Sequence, residues 1–297
     1  MADVISTATT HAEFIPEVWS KETIVARESV LVLANIVQRF DADVAGFGDI
    51  IHVPTVTNLT GGNISTSTGL LDAESPTETK VDITIDKWKG VNIKVLDIVL
   101  AQSKYEFRRL YTEKMGYLLG QLVEADLAIL AASLSQTVGT FNTDLTDANL
   151  RRAVQYLDDA RVPFSDRHFF LKPAVKNTIL GIDKFVRADA IGSGSAIRSG
   201  NVPGELYGAM VHISPEAYKT GNNTSNMLIH RECLALAMQK AVKIEQFARV
   251  GWLDHFGGSE LYGVKEMRDD HGVEAAQLAV ERDGVRPAVD QLEEGSS

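Results

Sequence analysis

The sequence holds one cysteine, Cys233, in 297 residues. A lone thiol excludes an internal disulfide and any cysteine-built zinc cluster. It fits a reducing compartment and reads as a small buried hydrophobe. Long apolar runs are also missing. The longest candidate, Val30 to Val37, is broken by Asn35 and falls far short of the roughly 20 residues a membrane helix needs. The opening MADVISTATT has neither a basic stretch nor an apolar core. No secretory signal is therefore expected, and the protein is expected to stay in the cytoplasm where it is made. The sequons at Asn58, Asn63, Asn222 and Asn223 then read as chance matches in polar loops. Basic residues are in deficit, 29 against 40 acidic ones, for a formal net charge of -11. Such a surface repels DNA phosphates, which argues against sequence-specific recognition but allows DNA to be enclosed without tight binding.

Catalytic signatures are absent too. No phosphate-binding Gly-Lys-Ser/Thr loop occurs. Gly192 and Gly194 begin a glycine spacing, but Ile197 stands where a dinucleotide fingerprint needs its third glycine. No Gly-x-Ser-x-Gly elbow is present. The histidines lie at 11, 52, 168, 212, 230, 255 and 271, without the spacing of a helical zinc site. Asp269, Asp270 and His271 form a local polar cluster; Asp and Gly favour turns, so a solvated turn between strands outweighs a metal or acid–base site. No catalytic residue, cofactor or metal is expected.

What is present is an ordinary globular composition, 44% apolar and 23% charged, in a definite order of elements. Residues 1 to about 15 are small and polar, an arm that leads into Phe14, Ile15, Val18 and Trp19 around Pro16. Lys21 to Phe40 is loosely helical, and Gly46 and Gly48 break it. Ile50, Ile51, Val53 and Val56 form a β-rich run, and Val81, Ile83 and Ile85 alternate with polar residues, a parity that continues at Val91, Ile93 and Val95. The polar stretch between the two runs makes them one long β-hairpin. A lone strand pair is marginal, so its apolar side needs another body. Lys87, Trp88 and Lys89 on this strand favour a subunit contact or a solvated strand over base stacking.

Ser103 to Ser135 lacks proline, and its apolar residues, among them Met115, Leu119, Leu122, Leu127 and Leu130, recur on one broad face. A helix there runs on the order of 50 Å. Thr146 caps a further helix that stops before Pro163. Strands are expected over 167–172, 209–214, 227–229, 260–268 and 273–280. A short helix opens at Pro173, and a Gly/Ser-rich loop spans 187–204.

This order resembles the major capsid proteins of tailed bacteriophages, of the Hong Kong 97 type. FIPEVWS at 14–20 resembles their N-arm. GDIIHVPTV at 48–56 and WKGVNIKVLDIVLAQS at 88–103 resemble the two strands of the extended loop, and VEADLAILA at 123–131 the end of the spine helix. LYGAMVHIS at 206–214 and MLIHRECLALAMQ at 227–239 resemble the axial domain, and LYGVKEMRDDHGV at 261–273 the return to the peripheral domain.

The resemblance implies an α+β fold with an arm and first helix (1–47), an extended hairpin (48–97), a peripheral domain with the spine helix (98–145), an axial domain (146–258) and return strands with a tail (259–297). It implies a non-enzymatic subunit that assembles with itself into hexamers and pentamers of an icosahedral virion shell around double-stranded DNA, without a membrane. A portal and a separate scaffolding protein are the implied partners, with a decoration protein as an optional one; no scaffolding domain is expected in the short stretch before FIPEVWS. The implied subunit contacts are Val81, Ile83, Ile85, Lys87, Trp88 and Lys89 on the hairpin and Phe14, Ile15 and Trp19 on the arm. Arg187, Asp189, Arg198 and Glu205 are placed on a loop at the capsomer axis. A cargo shell of the encapsulin kind and an unrecognised cytosolic α/β enzyme are the alternatives.

Overall fold

The computed structural model describes residues 31–44, 46, 48–56, 59, 61–68, 75, 78–96, 98, 107–182, 204–221 and 223–278. The first elements are a short helix α1 (Leu33–Ile36), β1 (Gln38–Arg39), β2 (Ile50–Val56), β3 (Glu78–Thr84), β4 (Lys87–Leu96) and the long helix α2 (Phe107–Ile129). Then come β5 (Thr137–Gly139), α3 (Asp147–Asp159), β6 (Arg167–Leu171), α4 (Pro173–Leu180), β7 (Glu205–Leu206), β8 (Ala209–Ile213) and β9 (Lys219–Thr220). Four long strands close the order: β10 (Asn223–His230), β11 (Leu234–Val250), β12 (Leu253–Glu266) and β13 (Gly272–Leu278). The fold is mixed, with more strand than helix.

A seven-stranded sheet runs β5-β13-β10-β6-β8-β7, with β9 beside β10. Its central strand β6 is buried at all five positions, as a strand covered on both faces must be. Phe169 and Leu171 point to one side, where Leu150, Ala153 and Leu157 of α3 and Val175 and Ile179 of α4 close over them. Phe170 points to the other, against Val123 and Leu127 of α2, Leu33 of α1 and Tyr262 of β12. The expected cap is there: Thr146 Oγ1 accepts from the Asn149 amide at 3.3 Å.

A four-stranded sheet, β1-β11-β12-β4, holds the longest strands, and the hairpin β2–β3 forms a third, two-stranded sheet. β11 and β12 form one long antiparallel pair with three register shifts, irregularities of the kind that bend and twist a ribbon.

Several expectations are corrected here. The hairpin does not extend to Val95. The chain leaves it after Thr84, and β4 pairs with β12 from Lys87↔Tyr262 to Leu96↔Leu253. The alternating parity continues across the break, which is why the two strands read as one. Of the expected helix over 21–40, the described part is helical only from Leu33 to Ile36, and Gln38–Arg39 then joins β11 in parallel. β11 was not expected. Its residues 240–245 mix Lys, Ala, Val, Ile and Glu without clean alternation.

By length and hydropathy alone the stretch Tyr111–Ser133 is apolar enough to cross a membrane, with a mean hydropathy of 1.3. Its burial explains the composition. Met115, Leu119, Val123 and Leu127 are buried, whereas Leu122 and Leu130 are half-buried. The same face carries the buried Glu124, whose carboxylate accepts from the amides of Val32 at 2.6 Å and Leu33 at 3.1 Å and from the Ser214 hydroxyl at 2.9 Å. That one side chain ties the N-terminal segment, the long helix and the end of β8 together.

Candidate assembly surfaces

The hairpin root is seated in the chain's own core. Ile83 and Ile85 are buried and pack with Val44, Ala235 and Ala237. The approach is close: a Cβ on Gly263 of β12 would lie 2.2 Å from the Thr84 carbonyl oxygen, so only glycine fits. The apolar surface of Ile83 and Ile85 is therefore spent inside the subunit, which corrects their reading as contact residues. On the outer face Asp82 meets His52 Nδ1 at 2.5 Å and Lys80 Nζ at 3.2 Å. The hydrogen bond from His52 holds the Asp82 carboxyl below its usual range.

Lys87, Trp88 and Lys89 divide by parity. Lys87 and Lys89 turn toward α2, and their ammonium groups lie 3.8 and 3.6 Å from Asp126 Oδ2. Asp126 also accepts from the Tyr262 hydroxyl at 2.7 Å. Trp88 turns outward and is 76% exposed. It borders a groove of about 390 Å³ floored by Gly90, Gly257 and Gly258 and flanked by Lys240 and Lys243. Of the six expected hairpin contacts, Trp88 alone is open to solvent, while Val81, Lys87 and Lys89 are half-buried.

Exposed large apolar side chains are spread over the described residues, with Phe164 after α3 at 77%. Val56, Leu59 and Ile64 at the far end of the hairpin are 64–70% exposed, and Trp252 at the β11–β12 turn is 75% exposed. The sequence reading missed Trp252, although Gly251 beside it, with φ of +62°, is a turn signal. Phe14, Ile15, Trp19, Arg187, Asp189 and Arg198 lie outside the described residues. Glu205 is exposed on β7, opposite Met210 of β8.

Cys233 is fully buried, and burial pushes its thiol well above the ordinary range, where it is inert as a nucleophile. His168 Nδ1 and His212 Nε2 lie 3.1 Å apart, and burial lowers both rings below the ordinary value. Asp269–His271 is a 3₁₀ turn between β12 and β13, but His271 within it is buried rather than solvated.

Comparison with solved structures decides what this geometry belongs to. A chain of Mycobacterium phage Che8 superposes with a TM-score of 0.77 at 23% identity, over 88% of this chain and 97% of its own. The chain has the fold of phage capsid subunits. The capsid structure of cyanophage P-SCSP1u matches at TM-score 0.78 and 16% identity, over 94% of this chain and 97% of its own. The mature capsid of bacteriophage PhiM1 matches at TM-score 0.72 and 12% identity, over 90% and 93%. No protein-family model matches the sequence, and no curated protein matches it. The fold is thus shared with chains of only 12–23% identity.

Proposed function

We propose that this chain is a major capsid protein that assembles into hexamers and pentamers of an icosahedral shell of the Hong Kong 97 type. One observation carries the reading: the phage capsid chains share its fold over nearly the whole length of both partners. In that shell the subunit is a virion component without catalytic activity, made and assembled in the host cytoplasm, and it encloses double-stranded DNA.

The hairpin within 48–97 acts as the extended loop and α2 as the spine of a peripheral domain over 98–145. Residues 146–258 form the axial domain, 259–297 return to the peripheral domain, and 1–47 form the arm and first helix. Ile83 and Ile85 anchor the hairpin, and Lys87 and Lys89 fix β4 to α2. Trp88 and the exposed Val56, Leu59 and Ile64 then meet neighbouring subunits. Phe14, Ile15 and Trp19 dock the arm, while Arg187, Asp189, Arg198 and Glu205 contact symmetric copies around the capsomer axis. A separate scaffolding protein and a portal complete the assembly.

Size-exclusion chromatography and negative-stain microscopy of the expressed chain, alone and with a co-expressed scaffolding protein, test the proposal. Capsomers or closed shells are expected. A discrete small oligomer under both conditions refutes it and favours a cytosolic enzyme.

A further inference from the structure

Two turns at one end of the seven-stranded sheet bring together side chains that are far apart in sequence. His230 ends β10, Glu232 lies in the turn to β11, and His271 lies in the turn before β13. One nitrogen from each ring and one Glu232 carboxylate oxygen all fall within 4.8 Å of one another. His230 and His271 are buried at 5% exposure each, and Glu232 is exposed.

The surroundings match the set. His271 Nδ1 lies 2.8 Å from Asp270 Oδ1. With that nitrogen donating its proton to the carboxylate, the lone pair sits on Nε2, the orientation an outer carboxylate gives to a metal-bound histidine. His230 Nδ1 accepts from the Glu232 amide at a long 3.3 Å, a weak contact that an ion on Nδ1 would displace and an ion on Nε2 would leave in place. A cation already occupies the same ground. Arg268 Nη1 is 3.5 Å from His271 Nε2, and Arg268 Nε is 3.9 Å from Glu232 Oε2. Both distances are too long for good hydrogen bonds. The arginine and glutamate side chains are about half exposed, at 51% and 49%, and both are able to swing into solvent.

We propose that His230, Glu232 and His271 form a site for one divalent transition ion, best filled by Zn²⁺, which Arg268 guards. Two imidazoles and one carboxylate suit zinc, whereas calcium and magnesium need more oxygen ligands. Zinc bonds of about 2.1 Å place tetrahedral ligands roughly 3.4 Å apart, so atoms within 4.8 Å of one another close by at most about 1.4 Å, a shift the exposed Glu232 can supply. The bound ion clamps the β10–β11 turn to the β12–β13 turn and keeps a fourth position open to water. This inference concerns the folded subunit and stands whether or not the chain builds a shell.

Isothermal titration calorimetry of the purified full chain with ZnCl₂, and separately with MgCl₂ and CaCl₂, tests the site. One zinc per chain is expected, with no magnesium or calcium binding. A rise in melting temperature of roughly 5 °C is expected at a hundredfold excess over Kd. Glu232→Gln, at an exposed turn, and His271→Ala should each weaken binding tenfold or more. Arg268→Ala should strengthen it roughly tenfold, because a positive charge about 4 Å away is removed. The Glu232 and Arg268 variants keep the test valid should His271→Ala fail to fold. Absence of saturable zinc binding in both the parent chain and Arg268→Ala overturns the proposal. So does zinc binding that Glu232→Gln leaves unchanged, or that His168→Ala abolishes instead.

Discussion

Glu260 offers the sharpest test of the packing around α2. Its side chain is fully buried in β12, opposite Lys89 of β4, and neither carboxylate oxygen has a hydrogen-bond partner. Burial raises its pKa from 4.5 to about 7, with the Asp126 charge adding to the rise and Lys89 opposing it. The folded state therefore holds this proton over a range in which the unfolded chain, at 4.5, has lost it. The stabilisation is full below pH 4.5, declines as pH rises, and is gone above about pH 7. A shift of about 2.5 units is worth roughly 3 kcal/mol at about 1.4 kcal/mol per unit. Glu260→Gln has nearly the same shape and cannot ionise. At pH 8.5 it should exceed the parent subunit by roughly 2–3 kcal/mol, and at pH 4.5 the two should agree within about 0.5 kcal/mol. Urea unfolding followed by tryptophan fluorescence at the two pH values reads this difference, and other titrating groups cancel between the proteins. Equal pH slopes for parent and variant would refute the argument. A less stable variant at pH 8.5 would show instead that Glu260 is ionised and held by Lys89.

Three further outcomes are expected. Gly263→Ala should displace the hairpin root, since its Cβ meets the Thr84 carbonyl at 2.2 Å; faster proteolysis within 48–86, with the sheet retained by circular dichroism, is the readout. Leu127→Ala, fully buried between α2 and the sheets, should cost roughly 2–5 kcal/mol in urea unfolding, and Leu122→Ala, half-buried, clearly less. Replacing residues 57–77 with Asn-Gly joins the register partners Val56 and Glu78 by the loop length a tight hairpin prefers. The subunit should then melt as the parent does but form no normal shells by sedimentation, whereas normal shells at normal yield would remove the hairpin from the assembly interface.

Local rules account for much of what the sequence determined by itself. The long helix, the Thr146 cap, the strands at 167–171, 209–213 and 272–278, and the turn at Asp269–His271 follow from periodicity, capping and turn chemistry, which act within a few residues. So does the inward parity of Val81, Ile83 and Ile85. Only the tertiary structure decided what that parity packs against, because alternation fixes a face and not its partner. It seated Ile83 and Ile85 in the subunit's own core and broke the expected long strand at Ile85–Asp86, sending Lys87–Leu96 to β12. It also recruited the poorly alternating 234–250 as a strand, since pairing with β12 along its length outweighs weak local preference. The meeting of Glu124 with Val32, Leu33 and Ser214, and of His230 with His271, joins positions 40 to more than 90 residues apart. Only folding sets such distances, so no spacing in the chain announces them.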